Sequence, residues 1–298
     1  MFFQQRLFRQ AKDVQDPQGY QDAFASDPVR GAAAICDGAS STLFAGPWAE
    51  QLAQAIVQNP PPTDSTEGVQ QWLKPLRDAW SAAVDPNSLA WHQKAKFLEG
   101  AASTVLWVQM WADPSDAEFN GPFYLRGYAV GDCCLLHVRQ GQVLCSFPLN
   151  QSEQFNTDPQ VLRSIFKRAE TIAFHNMEAQ CEGGDYLILC TDAVAVWTLQ
   201  QYEAGTPPEW DEFWNMSESQ WEQWLLDLRK NQQIRYDDST MAVLKVCGSS
   251  EEEGEENFKD KAIETVSGLW NTFKKKTRQG LKAAADSKWL KPEEEKEQ

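Results

Sequence analysis

Histidine is scarce in this chain, at three residues in 298 (His92, His137 and His175). The seven cysteines are an odd number at irregular positions, with no Cys-x-x-Cys pair. No disulfide framework is expected; buried free thiols in a reduced, cytosolic protein are the simple reading. Apolar runs are short too, and none approaches the roughly 18 residues of a membrane span. The opening segment MFFQQRLFRQAKD lacks a long apolar centre and a small-residue cleavage site, so no secretory signal is expected. Basic residues are outnumbered 27 to 43, for a formal net charge of −16. Such a body repels a phosphate backbone, so nucleic acid is not an expected partner.

What the chain does have is core material. Hydrophobic residues make up 42% of it and tryptophan occurs 13 times, a composition that folds. The length suits one large domain or two small ones. Four runs read as strands by apolar and β-branched density: GAAAIC (31–36), YLRGYAV (124–130), DYLILC (185–190) and STMAVLKV (239–246). A fifth, QVLCSFPL, follows Gly141 and LLHVRQ, which predicts a hairpin. Leu43, Phe44, Trp48, Ala49 and Leu52 recur at helical spacing. Further helices are predicted over Glu67 to Val84, Trp91 to Trp107 (its end passing into a strand at STVLWVQMW) and Ser217 to Lys230. Strands in groups with helices between them predict an α+β layered fold. The Trp-rich stretch EWDEFWNMSESQWEQWLLDL reads as core in preference to an exposed recognition surface, because its aromatics keep helical spacing.

Near residue 248 the composition changes, dividing the chain into residues 1–247 and 248–298. GSSEEEGEE is a flexible acidic spacer. Phe258, Ala262, Ile263, Val266, Trp270 and Phe273 then keep helical spacing, followed by Lys274, Lys275, Lys276, Arg278 and Lys282. An amphipathic basic helix of this sign favours docking on the acidic body or on a partner over lying on a membrane.

Five strand ends carry an acid. AAAIC ends on Asp37-Gly38, LRGYAV on Gly131-Asp132 and YLILCT on Asp192; Asp237-Asp238 precedes TMAVLKV, and Asp22 precedes the short piece Ala23 to Ala25. One such Asp is ordinary, because its side chain bonds its own backbone in turns. An acid at a helix N-terminus is also mildly stabilising. The set is what argues. If the strands share one rim the carboxylates converge, and like charges so close are costly unless cations intervene. No His lies within two residues of these Asp, and Cys36, Cys133, Cys134 and Cys190 are expected to point to the opposite face. An all-oxygen set suits Mg²⁺ or Mn²⁺ better than Zn²⁺. Gly38, without a side chain, lets its carbonyl approach an ion. Two such ions sharing a water would clamp a phosphoryl group and hydrolyse it without a protein nucleophile.

In order, these motifs resemble the metal-dependent protein Ser/Thr phosphatases of type 2C, over about residues 15–247, with the chain as a divergent member of bacterial type. YQDAFASDPVRGAAAICDGAS is similar to that family's Asn-Glu/Gln-Asp, strand and Asp-Gly; YAVGDC to its Val-Gly-Asp-Ser; LILCTDAV to Leu-Ile-Leu-x-Ser-Asp-Gly; and DDSTMAVLKV to Asp-Asn/Asp-x-Thr with a last strand. The resemblance implies a four-layer α-β-β-α sandwich, two central antiparallel sheets flanked by helices. It implies a two-metal centre held by Asp22, Asp37, the Gly38 carbonyl, Asp192 and Asp237, with Asp132 at a further, weaker metal site and Asp238 as an additional candidate. It also implies hydrolysis of phosphoserine and phosphothreonine in a phosphoprotein substrate, by water activated between Mg²⁺ or Mn²⁺ ions.

Three positions depart from the family. A His that often follows Asp-Gly is Ala39, the Gly after Ser-Asp is Ala193, and the phosphate-gripping Arg falls at Pro17. Arg9 and Lys12 are candidates to replace it, and the phosphate-binding residue stays unassigned. The alternative is a catalytically weak or inactive pseudophosphatase that binds phosphoproteins.

Overall fold

The computed structural model describes residues 1–112, 122–156, 158–167 and 171–248. In chain order its elements are β1 (Phe3–Gln10), β2 (Ala23–Asp27), β3 (Ala32–Gly38), α1 (Ala45–Gln58), α2 (Thr66–Ala82), α3 (Trp91–Glu99), β4 (Ala102–Trp111), β5 (Phe123–Val130), β6 (Cys134–Arg139), β7 (Gln142–Phe147), β8 (Leu162–Arg163), β9 (His175–Cys181), β10 (Tyr186–Cys190), α4 (Asp192–Glu203), α5 (Trp210–Asn215), α6 (Glu218–Lys230) and β11 (Ser239–Val246). One sheet has the order β1-β11-β10-β6-β7. The other runs β2-β3-β4-β5-β9, with β8 added on β4. All pairings are antiparallel. The acidic spacer and basic helix expected beyond Gly248 lie outside the described residues.

Alternation along the strands shows how the layers stack, because successive side chains face opposite sides of a sheet. In β3, Ala33 and Ile35 join Leu106, Leu125, Leu187, Leu189, Ala242 and Leu244 in a core between the sheets. Ala32, Ala34 and Cys36 turn the other way, onto Trp48, Leu52 and Ile56 of α1 and Leu73 of α2. In β11, Ala242 and Leu244 face the central core, while Met241 and Val243 meet Trp197 of α4, Phe213 of α5 and Trp221 and Leu225 of α6. Three apolar layers separate four structural ones, which is the α-β-β-α sandwich with two central antiparallel sheets. Buried on both faces, the central strands have no polar side, hence their unbroken apolar spelling.

The hairpin at Gly141 forms as expected between β6 and β7. The Trp-rich stretch is core, with Trp210, Phe213, Trp221 and Leu225 buried. The helix expected over Trp91 to Trp107 is shorter: α3 stops at Glu99, Gly100 takes a φ of +78°, and a ten-residue strand follows. That φ suits glycine and ends a right-handed helix.

Candidate metal centre

Antiparallel register gathers the acids. In one sheet Ala23 at the start of β2 lies opposite Cys36, Gly38 at the end of β3 opposite Ser103, and Val130 at the end of β5 opposite Val105. In the other, Cys190 at the end of β10 lies opposite both Met241 and Cys134, and Gln10 opposite Ser239. Asp22, Asp37, Asp132, Asp192, Asp237 and Asp238 therefore all belong to one rim of the sandwich, contributed by both sheets.

Within that rim the carboxylates act on one another. Asp37 is raised well above the usual carboxylate range, first by burial and then by the charges of Asp22, Asp192, Asp132 and Asp237. Asp22 is pushed up to about 8, mainly by burial, with Asp238 and Asp192 adding to it. Asp132 is pushed up to about 7 by burial and by Asp192. Burial and then Asp237 raise Asp192, against the opposing charge of Arg235. Acids from five segments thus share one field, in which burial and neighbouring charge disfavour ionisation of Asp22, Asp37, Asp132 and Asp192.

Hydrogen bonding separates these acids by task. Oδ2 of Asp22 accepts from Thr240 Oγ1 at 2.6 Å and Thr191 Oγ1 at 3.0 Å, and the Tyr20 hydroxyl bonds Thr240 in turn. Its Oδ1 is buried without a partner, and so is Oδ1 of Asp192. A buried oxygen without a donor is costly, and a bound cation would satisfy it. Asp238 is arranged differently. Its Oδ1 accepts the Lys12 N–H and its Oδ2 the Gln21 N–H, both at 2.7 Å. It clamps the segments that follow β1 and precede β2 onto the start of β11. Asp237, more exposed, accepts the Asp238 N–H at 2.9 Å and lies 3.7 Å from Lys12 Nζ.

Two glycines set the rim. A Cβ on Gly38 would lie 2.7 Å from the Gln21 carbonyl oxygen and 2.9 Å from backbone of Ala45, so only glycine fits where β3 passes under α1. Gly131 turns the chain into Asp132 at a φ of +100°, and a Cβ there would meet the Thr104 side chain at 2.5 Å. Gly131→Ala is expected to destabilise the protein by about 2 kcal/mol or more, since both backbone angle and space oppose it. A urea titration of the two proteins measures the difference.

The side chains gathered on the rim offer carboxylate oxygens, and Gly38 follows Asp37 at the end of β3. Unpartnered buried oxygens under mutual repulsion fit hard divalent cations such as Mg²⁺ or Mn²⁺. Cys36, Cys133, Cys134 and Cys190 are buried, and all seven thiols are free. Elsewhere His137, Cys181 and Asp185 bring potential ligand atoms within 4.8 Å of one another. That trio already has its cation. Asp185 accepts from Arg139 Nε and Nη2 at 2.8 Å each, from His137 Nε2 at 2.7 Å and from the Glu182 N–H at 2.9 Å. Burial alone would raise Asp185, but bonds from Arg139 and His137 outweigh it and hold the carboxyl far below its usual range.

Of the replacements considered for the missing arginine, Lys12 stands beside Asp237, whereas Arg9 lies exposed on β1 and its charge reaches Tyr20. Pro17 opens a short 3-10 turn, and Ala39 and Ala193 supply no titratable group. Sequence reading missed Arg235, whose Nη1 bonds Asp192 Oδ2 at 3.0 Å. It also missed the hydroxyls of Thr191 and Thr240 that hold Asp22.

By sequence, no protein family matches the chain and no curated protein matches it. Solved structures do match. PppA, a key regulatory component of the T6SS in Pseudomonas aeruginosa, aligns over 83% of this chain and 98% of its own, at 13% identity and a TM-score of 0.50. The Ser/Thr phosphatase Stp1 from Staphylococcus aureus aligns over 83% and 96%, at 12% identity and the same TM-score. The chain has the fold of these proteins. The chemistry has to be argued from its own rim.

Proposed function

We propose that this protein is a metal-dependent phosphoprotein phosphatase of the type 2C family, acting on phosphoserine and phosphothreonine. One observation carries the reading: Asp22, Asp37, Asp132, Asp192 and Asp237 come together from five segments, burial and then neighbouring charge raise the first four, and buried oxygens of Asp22 and Asp192 are left unpartnered. Such clusters of raised carboxyls concentrate at functional sites. Asp22, Asp37, Asp192, Asp237 and the Gly38 carbonyl would hold two Mg²⁺ or Mn²⁺ ions, and Asp132 would contribute to a weaker third. When bound, such ions polarise water and phosphoryl oxygens and offset the charge that develops in an in-line displacement.

The chain's own residues do the rest. Thr191 and Thr240 occupy one oxygen of Asp22 and so orient the other. Asp238 serves the scaffold as a backbone clamp and is left out of the ligand set. Ala39 provides no acid for the leaving oxygen, so that proton comes from solvent. The seven free thiols suit a reducing, cytosolic setting, and the segment beyond Gly248 is assigned to docking on a partner or on the acidic body.

A second reading, a pseudophosphatase that binds phosphoprotein without turnover, draws on Ala39 and on the ion pair that occupies Asp192. Hydrolysis of p-nitrophenyl phosphate and of a phosphothreonine peptide, with Mn²⁺, with Mg²⁺ and with chelator, decides between them. Turnover that needs the cation supports the phosphatase. Mn²⁺ binding without turnover selects the pseudophosphatase, and equal rates in chelator remove the metal centre from the chemistry.

A further inference from the structure

A phosphate monoester brings nearly two negative charges to a rim already crowded with carboxylates. Positive side chains facing that rim decide whether it can be held. Three reach it. Arg229 is committed to backbone, with Nη1 on the Ala11 carbonyl at 2.8 Å and Nη2 on the Asp237 carbonyl at 2.6 Å. Lys12 sits 3.7 Å from the outermost acid, Asp237. Arg235 is placed differently, on the connection between α6 and β11, with its Nη1 3.0 Å from Oδ2 of Asp192. Its charge also acts on Asp132, which lies in the turn that joins β5 of one sheet to β6 of the other. The guanidinium therefore faces the middle of the rim, where the sheets meet. Its side chain is 40% exposed and its guanidinium carbon lies 5.8 Å from the centroid of the Phe155 ring, so it is both accessible and directed.

We infer that Arg235 binds the substrate phosphate and that, in the cation-free protein, it serves as the counterion of Asp192. The planar fork of a guanidinium matches two phosphate oxygens, which an ammonium cannot do. A divalent cation on the unpartnered Oδ1 of Asp192 would compete with Arg235, which holds Oδ2, for the charge of one carboxylate. Released from the carboxylate, the guanidinium remains at the rim with its positive charge unspent, beside the place where the phosphoryl group must lie. This inference rests on the phosphatase reading.

The test uses full-length protein and the variants Arg235→Ala, Arg235→Lys, Lys12→Ala and Arg30→Ala; Arg30 lies beyond the opposite end of β3 and is the control. Calorimetric titration gives the affinity for Mn²⁺ and then the affinity of the Mn²⁺-loaded protein for inorganic phosphate. Steady-state kinetics on p-nitrophenyl phosphate give KM and kcat. For Arg235→Ala, phosphate binding weakens about tenfold to a hundredfold, the loss expected for hydrogen bonds to a charged group. KM rises by a similar factor, and Mn²⁺ binds more tightly because its competitor is gone. Arg235→Lys recovers part of the phosphate affinity and Arg30→Ala equals wild type. Unchanged phosphate affinity and KM in Arg235→Ala overturn the inference, even with tighter Mn²⁺. So does a loss that appears in Lys12→Ala instead. A wild type that binds phosphate without turnover refutes the phosphatase reading alone, and the phosphate titrations still decide Arg235. A wild type that takes neither Mn²⁺ nor phosphate refutes both.

Discussion

Asp37→Asn is expected to cut Mn²⁺-dependent hydrolysis of p-nitrophenyl phosphate by at least about a hundredfold while raising the melting temperature of the cation-free protein. The two effects have one cause. Asp37 sits at the end of β3 within the field of Asp22, Asp192, Asp132 and Asp237, and their charges add to its burial in opposing ionisation. Asparagine keeps the shape and removes the charge. With chelator present, that relieves repulsion, and a relief of about 1 kcal/mol raises the melting temperature of a domain of this size by about 2–4 °C. With Mn²⁺ present, the same change would take a negative ligand from the metal centre, and a loss of several kcal/mol in transition-state stabilisation corresponds to two or more powers of ten in rate. A carboxylate kept only for stability behaves the opposite way, losing melting temperature and leaving rate alone. Scanning calorimetry in chelator beside an initial-rate assay in Mn²⁺ reads both. A lower melting temperature with unchanged rate would remove Asp37 from the centre.

How far the sequence foretold this centre depends on which physical force wrote each part. β3, β10 and β11 are legible because both faces of each are buried, so their apolar runs are continuous and end abruptly at the rim. The acids are legible for the same reason, since each stands where such a run stops. Other elements carry no such mark. β1 and β9 are outer strands with polar faces, FQQRLFRQ and HNMEAQC, and show no apolar run. In α4, Ala193 through Leu199 are all buried, so no amphipathic period betrays a helix. Asp237 and Asp238 are identical in type and adjacent, and only the backbone donors on both oxygens of Asp238 separate clamp from candidate ligand. Arg235 was invisible because its importance lies in a contact 43 positions away in sequence, which depends on how α6 packs against β1 and leads into β11.

Mn²⁺ is expected to stabilise the protein strongly at pH 8 and little at pH 5. Carboxyls in an unfolded chain titrate near about 4, whereas in the fold Asp132 is raised to about 7 and Asp22 to about 8. Between these limits the folded protein holds protons that the unfolded chain has released. Stability without cation therefore falls as pH rises across that window, because the unfolded state binds fewer protons. Asp185 has the opposite sign: its lowered carboxyl adds stability that is present above about pH 4 and lost below it, outside the range compared. A divalent cation takes the place of those protons and is favoured where they are already leaving. At a concentration of a hundred times Kd, one ion adds about 2.7 kcal/mol, which is about 5–10 °C in a domain of this size. At pH 5 protons occupy the same oxygens, and the cation must displace them. Melting curves at pH 5 and pH 8, each with Mn²⁺ and with chelator, measure the difference between the two gains. Equal gains would mean that the cation binds somewhere other than among these raised carboxyls, and a cation-free protein that grows more stable from pH 5 to pH 8 would mean that their mutual repulsion is not what the fold bears.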